Sequence, residues 1–460
     1  MSAGMGSGSG YRKLLVSSGL SNLADGVFQI ALPLVTLGVT RDPAAFATVT
    51  VALRLPWLLC ALPAGALADR LDRRRTMFLV NLGRAALIGG LAVALATGTE
   101  TLWLLCAVAF ALGVGETLFD TAAQSILPSM VATDDLSRAN GRLYAVELTM
   151  NQFVGPPLGG LVVGLTAAGA LTGSAAAYLC AAVALALIAG SFRPVRTGPP
   201  TRIRHDVVEG TRYLFSHRLL RTLALLTGVS NLTATAMLTV LPLYAVDPGP
   251  MHLSETTFGV LLTAGAVGAF GGSFLAPIAE RTVGRARALL ISYLLFCITT
   301  GAPGLTASVI VVGAASVLGG LGAVVWIVAT VSLRQSIAPD HLLGRVNAGY
   351  RLLAWGSMPV GALLGGVLGD LVGIRAVFLI AGVGGLVALP LLLAVVTDSA
   401  IEDAEQGSAR GPDEASAELL DRRSDDSSRL DGPARLDELG PPTDPERPDE
   451  QGRPVEPARG

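Results

Sequence analysis

Runs of predominantly apolar residues recur from Lys13 to Thr397, and short polar segments separate them. An α-helix rises about 1.5 Å per residue, so about 20 apolar residues cross the ~30 Å hydrocarbon core of a bilayer. That ruler predicts twelve spans, at 13–39, 45–68, 76–97, 101–127, 139–166, 172–192, 219–246, 255–279, 287–304, 307–333, 341–369 and 374–397. The first follows Tyr11-Arg12-Lys13; it is too long for a signal-peptide core and ends without a small-residue cleavage site, so it reads as retained. Residues 1–10, rich in Gly and Ser, read as a disordered leader, and 193–218, with Pro194, Pro199 and Pro200, as a linker. From 398 to 460 the chain is rich in Pro, Asp, Glu, Arg and Ser, with few large apolar residues to bury, which predicts a disordered tail. The fold class expected is an all-α membrane protein of two pseudo-symmetric six-helix bundles, 11–192 and 219–397.

The two halves repeat one another. Ser21-Asn22-Leu23 followed by Leu32-Pro33-Leu34 recurs at the same internal spacing as Ser230-Asn231-Leu232 followed by Leu241-Pro242-Leu243. Gln124-Ser125-Ile126 with Pro128 recurs as Gln335-Ser336-Ile337 with Pro339. Leu136, Tyr144, Gly155, Gly159 and Gly160 match Leu342, Tyr350, Gly361, Gly365 and Gly366 in register. Duplicated six-helix halves in parallel orientation place a substrate cavity at their interface, with the halves rocking about it.

Composition agrees with the spans: 51% of the 460 residues are hydrophobic and 15% charged, against about 25% charged in a soluble domain. The net charge of -2 averages an apolar body and a charged tail, and points to no nucleic-acid partner. With Met1 inside, the inner loops hold Arg70, Arg73, Arg74, Arg75, Arg138, seven arginines from Arg193 to Arg221, then Arg281, Arg285, Arg287, Arg334 and Arg345. The outer loops hold little beyond Arg41 and Arg375. This bias predicts a plasma-membrane protein with linker, tail and both termini cytoplasmic. The four cysteines lie in apolar stretches without a CxxC pair, and the four histidines are scattered, so neither metal nor cofactor is expected.

The segment Gly65-Ala66-Leu67-Ala68-Asp69-Arg70-Leu71-Asp72-Arg73-Arg74-Arg75 resembles the loop signature between the second and third helices of the major facilitator superfamily. Ala279-Glu280-Arg281 with Arg285 is a weaker echo where that family carries its second copy. The resemblance implies a gating loop, with Asp69 and Arg70 controlling conformation, supported by Gly65, Arg73 and Arg74. An aspartate at a helix end can accept hydrogen bonds from a neighbouring helix N-terminus, and arginines hold the loop at headgroup level. Arg138-Ala139-Asn140-Gly141-Arg142 followed by Gly155-Pro156-Pro157-Leu158-Gly159-Gly160 is similar to the fifth helix of bacterial drug and siderophore exporters in that superfamily. There proline bends the helix and glycine admits a neighbouring backbone. Many proton-driven exporters carry an arginine in the fourth helix; Trp103 to Gly115 has none, so that coupling arrangement does not transfer.

An ionisable group at the bilayer centre costs roughly 2.5–3.5 kcal/mol even on the mildest scale. The spans nevertheless hold Asp25, Arg54, Arg84, Glu116, Asp120 and Glu147 in the first half, with Asn151 beside them, and chiefly Arg351 in the second. Asp25, Arg54 and Glu116 lie at similar depth, and Glu116 and Asp120 share a helix face. The first half is therefore expected to handle protons through Asp25, Glu116 or Glu147, unless Arg54 and Arg84 merely neutralise the carboxylates. The second half is expected to offer an apolar wall, for which Trp326, Tyr244, Phe270 and Met237 are candidates, with core packing or lipid contact the first reading of any one of them. The expected function is efflux of a small amphipathic compound (a drug, siderophore or secondary metabolite) in exchange for protons, by a monomer. The alternatives are import of a metabolite, or a non-transporting receptor or scaffold. No P-loop, HExxH or nucleophile elbow occurs, so an enzyme and an ATP-driven pump are not expected.

Overall fold

The computed structural model describes residues 7–60, 71–131, 135–190, 192 and 203–409, and among these the chain is almost wholly helical. The first half comprises α1 (Ser7–Val39), α2 (Pro43–Leu59), α3 (Arg73–Thr97), α4 (Leu102–Ile126), α5 (Leu136–Leu148, Thr149–Val154 and Gly155–Leu165) and α6 (Ala167–Ala186). A connecting helix, α7 (Ile203–Ser216), leads into α8 (Arg218–Ala245), α9 (Glu255–Val283), α10 (Arg285–Leu305), α11 (Val309–Ile337), α12 (Asp340–Val372) and α13 (Ile374–Val387 with Leu389–Val395). A last helix, α14, spans Asp398–Ala409.

Ten of these are long and apolar enough to cross a membrane, while α2 is a shorter apolar helix of 17 residues. The remaining crossing, α5, is interrupted. Pro156 and Pro157 lack amide donors, and the preceding turn, Thr149–Val154, widens to a π-helix. Side-chain caps fix the helix starts: Asp42 accepts from the Ala45 amide at 2.6 Å, Asp72 from Arg75 at 3.0 Å and Thr166 from Gly169 at 2.8 Å. Large apolar side chains such as Trp103, Leu305, Ile310 and Val387 stay exposed on the outer surface, as a lipid-facing wall requires.

Neighbour relations in the two halves correspond. In the first, α1 packs on α5 and α6, α3 on α4 and α6, and α2 on α4; in the second, α8 packs on α12 and α13, α10 on α11 and α13, and α9 on α11. Hydrophobic driving force between helices is absent in lipid, so close backbone approach matters. A Cβ on Gly155 would sit 2.6 Å from the Gly26 Cα, and one on Gly159 2.9 Å from the Val27 carbonyl oxygen. In the second half a Cβ on Gly365 would lie 2.8 Å from the Ala236 Cα. The halves meet along two seams, α2 against α12 and α5 against α9.

The ends of the bundle differ. At the far end, which carries Thr40–Asp42 and Val246–Ser254, a single apolar core joins Phe28, Phe46 and Leu105 to Val240, Tyr244 and Phe258. At the linker end, beside α7 and α14, the cores are separate: Met77, Phe119 and Ile126 in one half, Leu220, Tyr293 and Leu333 in the other. The halves are therefore joined at the far end.

Two segments depart from expectation. The linker contains α7, whose Tyr213 hydroxyl donates to the Ile337 carbonyl at 3.3 Å and whose Glu209 pairs with Arg345 of α12. Chain expected to be disordered from 398 forms α14 as far as Ala409. Its Ile401 is buried in the second-half core, and Glu405 pairs with Arg285 and accepts from Ser336. Buried Ile401, Ala404 beside it and the polar contacts of Glu405 and Asp398 seat a twelve-residue helix that composition alone marks as solvated.

Candidate functional site

A cavity of about 600 Å³ lies between the halves, on the linker side of the joined core. On α1, Gln29, Pro33 and Thr36 face it at four- and three-residue spacing, one stripe of a helix. On α8, Asn231, Thr235 and Thr239 form the matching stripe. Pro33 and Pro242, the repeated prolines, both line the cavity, and so does Pro156 of α5. Thr50 and Arg54 enter from α2, and Asn151 and Gln152 from the π turn of α5. Gln29 donates to the Asn151 side chain at 3.2 Å. Phe258 and Leu262 of α9 and Met358 of α12 supply apolar surface.

Above the cavity, the far end is sealed by backbone contact. A Cβ on Gly160 would lie 2.9 Å from the Gly259 Cα, and one on Gly366 2.8 Å from the Pro43 carbonyl oxygen. Thr256 donates to the Gly160 carbonyl at 3.3 Å, and Arg41 to the Asp247 carbonyl at 2.8 Å. Lower on the seams, edge-to-face aromatic pairs bridge the halves: Trp57 with Trp355 at 4.4 Å and Phe153 with Phe270 at 6.1 Å.

One turn below Gln29, Asp25 anchors a polar network within the first half. It accepts from the Tyr178 hydroxyl of α6 and lies 3.6 Å from Arg84 of α3. The Arg84 side chain is 2% exposed, between the rings of Phe119 and Tyr178 at 5.6 and 5.3 Å. Neither terminal nitrogen of Arg84 has a hydrogen-bond partner among the described residues. Glu116 and Asp120 of α4 act on the same guanidinium through space. Toward the linker end, Ser21 donates to Asn81 and Ser18 to Glu147, both at 3.2 Å. Ser18, Ser21, Asp25 and Gln29 thus form a polar stripe on α1 that ends in the cavity.

The expected residues are divided between these two places. Asp25, Glu116 and Asp120 converge, but on Arg84; Arg54 faces the cavity instead. Glu147 binds Ser18, and Asn151 reaches the cavity through Gln29. Arg351 stacks 4.2 Å over Trp355 at the α2–α12 seam. Gly155 and Gly159 pack against α1, Gly160 against α9, and Pro157 is half-buried. Gly65, Asp69 and Arg70 lie outside the described residues. Within the described part of that loop, Asp72 caps α3 and accepts from the Phe192 amide at 2.8 Å, Arg73 donates its amide to the Phe192 carbonyl at 3.4 Å, and Arg74 donates to the Ile188 carbonyl.

The candidates for the apolar wall follow the other reading, core packing or outward exposure. Trp326 donates to Thr227 at 2.9 Å inside the second-half core, Tyr244 packs on Phe378 at 5.0 Å, Met237 is buried, and Phe270 sits on a seam. The apolar surface comes from Leu238, Phe258, Leu262 and Met358, and the second half also offers Asn231, Thr235 and Thr239. The signal for Asn231 was the repeat itself, since Asn231 and Pro242 recur from Asn22 and Pro33 and both reach the cavity.

A family model described as transmembrane secretion effector matches residues 7–426. The chain belongs to this family of major facilitator transporters. The multidrug efflux pump Tap of Mycobacterium tuberculosis is 30% identical over 387 residues, covering 80% of this chain and 88% of the pump. Tap of Mycolicibacterium fortuitum is 28% identical over 391 residues, covering 83% and 92%. Among solved structures, the nucleoside transporter NupG aligns with a TM-score of 0.67 at 13% identity, over 84% of this chain and 99% of that one, a likeness of fold alone. This facilitator is accordingly a membrane transporter for a small molecule and not an enzyme.

Proposed function

We propose that this facilitator is a proton-coupled exporter of a small amphipathic compound, working as a monomer with its linker end in the cytoplasm. The observation that carries the proposal is the position of Asp25: paired with Arg84 and Tyr178, and one helical turn from cavity residue Gln29. A proton on Asp25 removes one partner of a buried guanidinium, which is left to Glu116 and Asp120 on α4. The α1–α3–α6 contact is thereby altered, and α1 itself carries Gln29, Pro33 and Thr36 into the cavity. Proton binding and cavity shape are thus linked through one helix. The arginine bias of the inner loops supports the orientation, and both halves of the cavity come from one chain, which supports the monomer. Similarity to Tap supports export.

A second reading has an observation in its favour. Both halves present polar side chains to the cavity, as a carrier that imports a hydrogen-bonding metabolite would. Accumulation of labelled compounds in intact cells with and without the gene separates the two directions.

The coupling test uses inverted vesicles, an imposed proton gradient and dansyl dyes of either charge as reporters. Asp25→Asn is expected to lower gradient-driven uptake at least about tenfold, a barrier change of about 1.4 kcal/mol. Glu147→Gln, bonded among the described residues to Ser18, is expected to change it less. Full gradient-driven activity in Asp25→Asn, Glu116→Gln and Glu147→Gln together defeats the proton role.

A further inference from the structure

We infer that the cavity takes its substrate as an anion, with Arg54 as the residue that receives the acidic group; this rests on the reading of the cavity as the transport site. Among the described residues lining the cavity, Arg54 carries the one charge, and no carboxylate joins it there. Arg54 makes no ion pair or hydrogen bond with any described residue, although it is half-buried in the middle of a span. Of the carboxylates counted to a similar depth, Asp25 is paired with Arg84 instead. A guanidinium kept within the membrane without a partner among the described residues is satisfied by water while the cavity is open. Closure of the cavity expels that water, and an anion in its place leaves the occluded content neutral. Substrate charge then favours the conformational change that carries it.

The rest of the lining fits the same chemistry. Gln29 donates to the Asn151 oxygen, which leaves the Asn151 amide protons and those of Gln152 to share an acid with Arg54. Across the cavity, Thr235 and Thr239 donate to the Asn231 and Thr235 carbonyls, both at 2.7 Å, so their oxygens face the cavity as acceptors. Leu53, Leu238, Phe258 and Leu262 provide an apolar wall. The matching ligand is an aromatic or aliphatic acid with a hydroxyl or N–H group away from the acid, and a cavity of about 600 Å³ is of drug-binding size. With the linker end inside, an inside-negative potential also drives an anion outward.

The test uses dansylglycine and dansylcadaverine, which share a fluorophore and a sulfonamide and carry opposite charges at neutral pH. Binding to the full-length protein in nanodiscs is followed by dansyl emission. Wild type is expected to bind dansylglycine at least about tenfold more tightly than dansylcadaverine. Arg54→Lys keeps the preference, Arg54→Gln abolishes it, and Arg54→Glu inverts it, a gain that misfolding does not produce. Equal binding of the two dyes by wild type (absence of binding included), a preference for dansylcadaverine, or an intact preference in Arg54→Gln overturns the inference. If the preference holds while neither dye crosses vesicle membranes, the anion site stands and the exporter reading fails. If dansylcadaverine is exported by wild type and Arg54→Gln alike, the exporter reading stands and the anion site fails.

Discussion

Asp25 and Arg84 form a pair in which each partner makes the other tolerable in a low-dielectric interior. Breaking a buried pair by removing one partner costs about 3–5 kcal/mol, whereas replacing both by apolar groups is often near neutral. Asp25 is 22% exposed and Arg84 only 2%, so the stranded guanidinium is the worse of the two outcomes. Asp25→Ala is therefore expected to destabilise the protein by about 3 kcal/mol, more than Arg84→Met does. The double variant should lose less than Asp25→Ala alone, as read by thermal unfolding in detergent micelles; additive losses would mean that the 3.6 Å approach carries no energy. These residues were legible in the sequence because a charge inside a span is conspicuous. Their pairing was legible as the alternative in which Arg54 and Arg84 neutralise the carboxylates, but which arginine does so was not. Depth along a helix can be counted from sequence, whereas the rotation that turns Asp25 to Arg84 and leaves Arg54 to the cavity is set by packing. Thr235 and Thr239 went unseen for another reason. A threonine that bonds the carbonyl four residues back satisfies itself locally, so its presence in an apolar span gives no sign of what its oxygen faces.

Helix ends show how the two halves solve one problem with different residues. Asp72 and Gly284 each immediately precede a corresponding helix, α3 and α10. Asp72 caps α3 with one carboxylate oxygen and holds the Phe192 amide, just after α6, with the other. Gly284, at a φ of 85° that favours glycine, has no side chain to offer. Asp398, just after α13, supplies it instead: its carboxylate accepts from the Ala286 amide at 3.2 Å and lies 3.3 Å from where a Gly284 Cβ would be. The acid has changed sides while the junction between third and sixth helices of the half is kept. Removing a cap costs about 1 kcal/mol, a factor of about five in local opening. Asp398→Ala is expected to speed amide exchange by that factor over 285–288, at the start of α10, and to leave 73–76 unchanged, which exchange mass spectrometry resolves. Equal protection at 285–288 in variant and wild type would show that α14 is seated by Ile401 and Glu405 alone. The spans themselves were readable from apolar run length. The helix α14 was not, because two acidic residues follow Ile401 and its apolar contact is too small to leave a periodic signal.

At the scale of the whole molecule, the repeated Gly-Gly pairs divide their labour by one residue. Gly159 meets α1 and Gly365 meets α8, each inside its own half; Gly160 meets α9 and Gly366 meets α2, each across to the other. Consecutive positions on a helix point about 100° apart, so one dipeptide ties a helix to its own bundle and also seals the far end. The duplication made these pairs legible as matching positions; which glycine crossed between halves awaited the rotation of α5 and α12. Because a Cβ at Gly160 would stand 2.9 Å from the Gly259 Cα, a leucine there requires the seam to part. Overpacking of this kind costs about 1–3 kcal/mol, enough to shift a two-state equilibrium by roughly 5- to 150-fold. The penalty falls only on the state closed at the far end, since the seam is absent from the state open there. Gly160→Leu should therefore fold, populate the far-end-open form, and transport at least about tenfold more slowly. Spin labels at Thr99→Cys and Ala307→Cys, exposed far-end turns of opposite halves, should report a longer distance. Gly366→Leu should do the same, because if each half moves as a rigid body, opening one seam opens the other. A longer distance in Gly160→Leu with none in Gly366→Leu would mean that the α5–α9 and α2–α12 seams open independently, and closure at the far end would then be local bending rather than rocking of two halves.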